Sequence, residues 1–129
     1  MANQNSVVTK ARRIRLAQIT SGTITALPPI ASIILGDGGV DESGTVLAPS
    51  EEQTELNHEI GRYAVAPVTF PVETTARYQI TVPESELVGQ AISEMALADT
   101  EGTLCAIRNT SPKIKDGDEE FTFIFDDEF

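Results

Sequence analysis

The chain has 129 residues, with 9 Lys and Arg against 20 Asp and Glu, and a formal net charge of −11. This is the length of one ordinary domain, so we expect a single domain over residues 1–129. A composition of 40% hydrophobic and 22% charged residues excludes disordered and membrane-embedded classes, and so strong a negative charge argues against nucleic acid as a partner. The longest nearly apolar stretch, Ala26 to Leu35, is about half a bilayer span, so no membrane insertion is expected.

The first predicted element is an N-terminal helix. Ser6 or Thr9 can cap it, apolar residues recur at every third position from Val8 to Ala17, and Gly22 would end it. A strand is the alternative, because the charged and apolar side chains at 13–16 also alternate.

This predicted helix carries an unusual charge. Residues 1–36 hold four basic residues and no acid, whereas residues 37–129 hold 5 basic and 20 acidic residues. Arg12, Arg13 and Arg15 are therefore candidates for an interface with an acidic surface on a sister subunit or another protein. The alternative is a solvated side of the helix.

A short buried strand, Ile30 to Leu35, follows a Pro-Pro pair that excludes helix. A turn-rich loop then runs to Pro49. We expect Gly36 and Gly38 to adopt backbone angles that other residues avoid, and Asp37 to bond its own backbone. The loop opens with Gly36, Asp37, Gly38 and Gly39.

A second short helix is predicted after this loop. Ser50 is followed three residues later by Gln53, with two glutamates between them, which is the pattern of a capping box. The helix is expected to end near Asn57.

Strand patterns dominate from Glu59 onward. Residues 77–82 alternate between polar and apolar, which indicates a strand with one solvated face. The run Tyr63 to Phe70 is its predicted antiparallel neighbour, and Pro67 and Pro71 place it at an edge or next to a bulge. Arg62 and Arg77 are expected to pair with carboxylates such as Glu94 on a sheet face.

Two further strands form a predicted hairpin, and a third ends the chain. Ala91 to Ala98 and Thr103 to Arg108 flank the turn Asp99 to Gly102. Phenylalanines alternate from Phe121 to Phe125 in the last strand. The predicted fold class is therefore α+β, mostly antiparallel, sandwich-like sheet with an N-terminal helix and a second short helix.

No catalytic constellation emerges from the sequence, and no cofactor or metal site is predicted. The glycine-rich loop lacks the Lys-Ser/Thr of a phosphate loop, His58 is the single histidine, and Cys105 lies in an apolar strand as a small buried hydrophobe. Weak surface calcium binding by acidic turns is the remaining alternative. These turns contain Asp37, Asp41 and Glu42, and residues 116–120.

Short motifs follow one another in an informative order along the chain. They are Val8 to Arg13, Ile33 to Val40, Asn57 to Arg62, Thr75 to Tyr78, Ile92 to Leu97, Asp99 to Gly102 with Leu104 to Ala106, and Pro112-Lys113. This series resembles the phage tail-collar fibre protein family, the N-terminal module of many tail fibres, from Val7 to Phe129.

The resemblance implies a virion part without enzymatic activity. Such a module joins tail fibres to the baseplate of contractile phage tails, prophages or phage-tail-like bacteriocins, commonly as a trimer. The expected partners are other tail or baseplate proteins and the tail fibre. Because family members continue into a shaft and this sequence stops at Phe129, we expect a connector or a short attachment protein. A non-catalytic carbohydrate- or calcium-binding module is the alternative function.

Overall fold

A computed structural model describes residues 5–129 of the chain, and within them it contains eight strands and one helix. The helix is α1 (Lys10–Thr20), and the strands are β1 (Ser6–Val8), β2 (Ile30–Gly36), β3 (Glu59–Ala64), β4 (Thr69–Val72), β5 (Thr75–Val82), β6 (Ala91–Asp99), β7 (Leu104–Ile114) and β8 (Phe121–Glu128).

The strands form two antiparallel sheets that share one apolar core. The first sheet has the order β1-β7-β6-β2-β3, and the second has the order β4-β5-β8. Ile33 and Leu97 of the first sheet belong to the same buried cluster as Ile80 and Phe123 of the second. This arrangement agrees with the predicted antiparallel α+β fold.

The five-stranded sheet is buried on its second face as well. Its central strand, β6, sends Ala96 and Ala98 into a smaller apolar cluster that also contains Ile34 and Leu56. Leu56 comes from the long connection between β2 and β3 and is 6% exposed. This connection therefore covers the second face, and its position depends on how it is fastened to β6.

The N-terminal helix is confirmed. Thr9 caps it, because its hydroxyl accepts the N–H of Arg12 at 3.3 Å, and the same hydroxyl donates to the carbonyl of Leu104 at 2.6 Å. Gly22, with φ of 81°, follows the C-terminal cap. None of the residues of α1 is buried. No helix within residues 5–129 is long and apolar enough to cross a membrane.

The second short helix is not present. The bonds of the capping box do form, since Ser50 donates its N–H to the Gln53 side chain at 2.8 Å and its hydroxyl accepts the N–H of Glu52 at 3.2 Å. They close a turn that does not continue as a helix. The following residues instead bury Leu56 and direct the backbone N–H groups of Asn57 and His58 to Glu94.

The predicted pairing of Tyr63 to Phe70 is wrong in part. Tyr63 lies in β3, which pairs with β2. Of the predicted run, only the part that lies in β4, from Thr69, pairs with β5. Between β3 and β4 the chain crosses from one sheet to the other, with the N–H of Val65 bonded to Ala31 and that of Ala66 bonded to Gln79. The predicted hairpin of β6 and β7 is confirmed, with Gly102 at φ of 83° in its turn.

Candidate functional site

Glu94 stands at the centre of the motif residues. It lies on β6, is 1% exposed, and accepts three backbone hydrogen bonds. Its Oε1 accepts the N–H of Gly38 at 3.0 Å and that of His58 at 2.8 Å, and its Oε2 accepts the N–H of Asn57 at 3.1 Å. One carboxylate therefore binds both ends of the β2–β3 connection to the central strand. We call Glu94 and its three backbone donors, Gly38, Asn57 and His58, the Glu94 centre.

The glycines beside this centre are required for space and not for backbone angle. None of Gly36, Gly38 and Gly39 has a positive φ, which corrects the expectation from sequence. A Cβ at Gly36 would overlap the Glu94 carboxylate, and one at Gly39 would overlap the carbonyl of Ser93. The loop can approach β6 this closely only without side chains.

Asp37 does not bond its own backbone as predicted. Its carboxylate pairs with Nδ1 of His58, and its N–H donates to the carbonyl of His58 at 3.1 Å. Asp37 and His58 thus join the two ends of the β2–β3 connection on the solvent side of the Glu94 centre.

Arg62 and Arg77 do pair with carboxylates, as predicted, but Glu94 is not their partner. Arg62 pairs with Glu59 on its own strand at 3.1 Å. Arg77 binds Asp126 through two bonds of 2.8 and 3.0 Å, because these residues are direct cross-strand partners on β5 and β8. The hydrogen bond from Arg77 lowers the pKa of Asp126 below its usual value.

The predicted interface arginines all have acidic partners within the chain. Arg12 holds the carboxylate of Asp127 at 2.7 Å, with side chains only 13% and 6% exposed, and its guanidinium lies 5.4 Å from the ring centre of Phe129. Arg15 lies 3.0 Å from the buried Asp99. Arg13 pairs at 2.6 Å with Glu51, and both side chains are about half exposed.

The arginines of α1 therefore differ in what they do. Arg12 and Arg15 attach the helix to the sheets, which explains how α1 is held without a buried residue. Arg13 lies on the exposed side of α1, where its ion pair with Glu51 is open to solvent.

Asp41, one of the acidic residues that suggested calcium, is engaged in its own turn. Oδ1 of Asp41 accepts the N–H groups of Ser43 and Thr45, each at 2.9 Å, and the Ser43 hydroxyl at 2.8 Å. The Ser43 side chain is the main reason that the pKa of Asp41 is lowered. No group of three or more His, Cys, Asp or Glu side chains in residues 5–129 is arranged to hold a metal ion.

Cys105 is buried, as its sequence context predicts. Burial raises the pKa of its thiol to about 11, with a smaller contribution from Asp99. A thiol in this state is a poor nucleophile at neutral pH, since the thiolate is the reactive form.

Sequence reasoning missed one surface. Residues 63–72 contain no charged side chain, and every residue from 66 to 72 is exposed. Val65 to Val68 line an open groove together with Pro29, Ile30 and Tyr78. We call residues 63–72 the uncharged segment. The absence of charge over ten residues of so acidic a chain was the signal available in the sequence.

Comparison with known families gives one match. The family model described as phage tail-collar fibre protein, N-terminal, matches residues 1–122. The matched range includes the Glu94 centre, α1 and the uncharged segment. No curated protein and no solved structure matches the chain.

Proposed function

Because the chain belongs to the phage tail-collar fibre protein family, we propose that it is a non-catalytic structural protein that attaches or connects tail fibres to the baseplate of a contractile phage tail or phage-tail-like particle. Membership of this family indicates a structural role in a phage tail fibre, in association with other tail components of the virion. The proposal rests on the match between the family model and residues 1–122. We further propose that residues 1–129 form one attachment domain.

The chemistry of the motif residues supports a structural role. The Glu94 carboxylate is occupied by three backbone donors, and its glycine neighbours make room for it. Asp99 likewise binds the N–H groups of its own hairpin, those of Glu101 and Thr103, while its second oxygen holds Arg15. These residues stabilise the fold, and their polar groups are engaged within it.

We propose that the protein acts as a homo-oligomer, with three copies as the expected number. In this assembly Arg13 is the residue of α1 that would contact an acidic surface of a sister subunit or the baseplate. Its ion pair with Glu51 is exposed and contributes little to stability, so a partner can replace it with small loss.

A carbohydrate- or calcium-binding module is the competing function, and no contact in the described residues favours it. Calorimetric titration of the purified chain with calcium and with a panel of glycans tests it. Saturable binding in either titration would favour the competing function over attachment.

The attachment role is tested by deleting the gene from the phage or prophage and imaging the particles by negative-stain electron microscopy. We expect assembled tails that lack fibres, with fibres restored by the gene supplied in trans. Fibres of normal number on the deletion particles would contradict the proposal.

A further inference from the structure

We propose that α1 is a detachable helix, which leaves the two sheets as a unit while the sheets stay folded. The inference concerns the fold itself and does not rest on the proposed function. α1 reaches from one sheet to the other, because Arg15 binds Asp99 at the end of β6 and Arg12 binds Asp127 on β8. Both attachments are ion pairs, which distinguishes this helix from the strands that the apolar core holds together.

Charge replaces apolar packing along the whole of α1. None of its residues is buried, and Ile14 is 49% exposed. Each of its basic residues, however, has an acidic partner elsewhere in the chain. The pairs are Lys10 with Glu52 at 3.5 Å, Arg12 with Asp127 at 2.7 Å, Arg13 with Glu51 at 2.6 Å and Arg15 with Asp99 at 3.0 Å. The position of α1 therefore depends on electrostatic interactions.

The two ends of α1 allow it to move. At its start, the Thr9 hydroxyl and N–H bond to carbonyls of β7, which fixes the chain at that point. After its end, residues 21–29 contain no strand or helix, and their first backbone bonds run back to Gln18 of α1 itself. The connection rejoins the sheets at Pro29, whose carbonyl accepts a backbone N–H of the β6–β7 turn at 3.0 Å. Residues 25–28 can therefore change conformation while α1 turns about Thr9.

The ion pairs separate more easily than apolar packing of similar extent would. When the helix leaves, both partners of a pair regain water together, and this hydration offsets the attraction that is lost. Exposed pairs contribute little to begin with. An element with few buried apolar contacts opens locally at a lower free energy than the core strands. Substituting one partner acts differently, because Arg12→Gln leaves Asp127 buried and uncompensated for as long as α1 stays in place.

Detachment changes the charged groups that the protein presents to its surroundings. Asp99 and Asp127 are 4% and 5% exposed in the closed state and would be uncovered. The cations of α1 would at the same time lose their partners within the chain. Since complementary charge governs which proteins associate, the closed state withholds these groups from other proteins.

Cys105 reports the detached state. It is the single cysteine of the chain, it is 5% exposed, and its thiol lies 3.9 Å from the Asp99 oxygen that Arg15 holds. The thiol therefore opens to solvent when Arg15 leaves Asp99. The test is the rate at which N-ethylmaleimide labels Cys105 in the full chain, followed by mass spectrometry at urea concentrations below the unfolding transition. We expect this rate to depend less on urea than global unfolding does, because detachment exposes less surface.

Salt separates detachment from global unfolding in the same experiment. Sodium chloride should accelerate labelling, relative to free cysteine in the same buffer, because it screens the ion pairs of α1. It should stabilise the whole protein against unfolding, because it also screens the repulsion within a chain of net charge −11. Labelling of the parent that follows the urea dependence of global unfolding, or that fails to accelerate with salt, would overturn the inference.

Two neighbouring substitutions provide a matched comparison. We expect Arg12→Gln to be labelled at least about tenfold faster than the parent, and Arg13→Gln, the control, less than about fivefold faster. Circular dichroism reports whether each variant keeps the parent fold. A folded Arg12→Gln variant that is labelled no faster than Arg13→Gln would overturn the inference. If Arg12→Gln does not fold, the urea and salt series on the parent decide the question alone.

Hydrogen exchange of the parent chain gives an independent readout. A helix of 11 residues is only marginally stable once it leaves the sheets, so its amides should exchange when it detaches. We expect the amides of α1 to exchange before those of β6. Equal protection of the two elements would contradict detachment.

Discussion

The backbone N–H of His58 lies 2.8 Å from the Glu94 carboxylate, although 36 positions of sequence separate the two residues. The carboxylate also holds Gly38 and Asn57. A long connection that contains no strand or helix of its own is thereby fixed to the most buried strand of the protein.

Glu94→Gln should destabilise the protein. The amide retains one oxygen, so at least one buried backbone donor loses its acceptor, and we expect a decrease in the free energy of unfolding of about 2 kcal/mol. Urea denaturation monitored by circular dichroism measures it. Glu59→Gln is the control, because Glu59 is exposed and pairs only with Arg62 at the surface, and it should change stability by less than about 0.5 kcal/mol. Equal effects of the two substitutions would contradict the role of the Glu94 centre.

Arg12 and Arg13 should differ strongly although they are adjacent. Arg12→Gln leaves the carboxylate of Asp127 buried without its cation, which we expect to lower the free energy of unfolding by about 3 kcal/mol. Arg13→Gln breaks an exposed pair and should lower it by less than about 1 kcal/mol. Thermal unfolding of both variants measures this difference. Similar melting temperatures would show that Arg12 does not anchor the helix.

Gly39→Ala tests the requirement for space beside β6. The new methyl group would overlap the Ser93 carbonyl, so we expect a loss of about 1–3 kcal/mol. Gly117→Ala is the matched control, because its Cβ would lie 3.4 Å from Val88, an ordinary contact, and alanine also reduces the freedom of the unfolded chain. Chemical denaturation compares the two, and a neutral Gly39→Ala would refute the close approach of the loop.

The ion pair of Arg77 and Asp126 should account for part of the loss of folding stability at low pH. The pKa of Asp126 is lowered in the folded protein, so its contribution to stability is present above the ordinary carboxyl pKa of about 3.9 and is lost as pH falls through the lower folded value. Asp126→Asn should decrease stability near neutral pH and weaken its dependence on pH below about 4. Denaturant midpoints measured from pH 7 to pH 2 test this. Glu73→Gln, at an exposed turn, is the control and should leave the profile of the parent.

The sequence correctly predicted those elements whose structure is determined by residues close together in the chain. The cap at Thr9, the glycine in the turn of the β6–β7 hairpin and the alternating phenylalanines of β8 are each readable within a few residues, and the structure contains all three elements. The capping box at Ser50 was equally readable, yet burial of Leu56 and the hydrogen bonds to Glu94 override it. Helical propensity of one turn is too weak to resist such packing.

Side-chain pairs between residues far apart in the chain could not be predicted from the sequence, for a physical reason. Arg77 meets Asp126 because β5 and β8 pair in one register, and a shift by one residue would place these side chains on opposite faces. Nothing local to Arg77 specifies that register. The Glu94 centre could not be predicted either, because its hydrogen-bond donors are backbone N–H groups, which every residue except proline has.

Quantitative mass spectrometry of purified particles tests the central claim, that this chain is a structural component of a phage tail, most directly. We expect the chain in a fixed ratio to the baseplate proteins, with the copy number of a ring of fibre attachments, after purification that removes host proteins. Particles that contain the tail and baseplate proteins but not this chain would contradict the account.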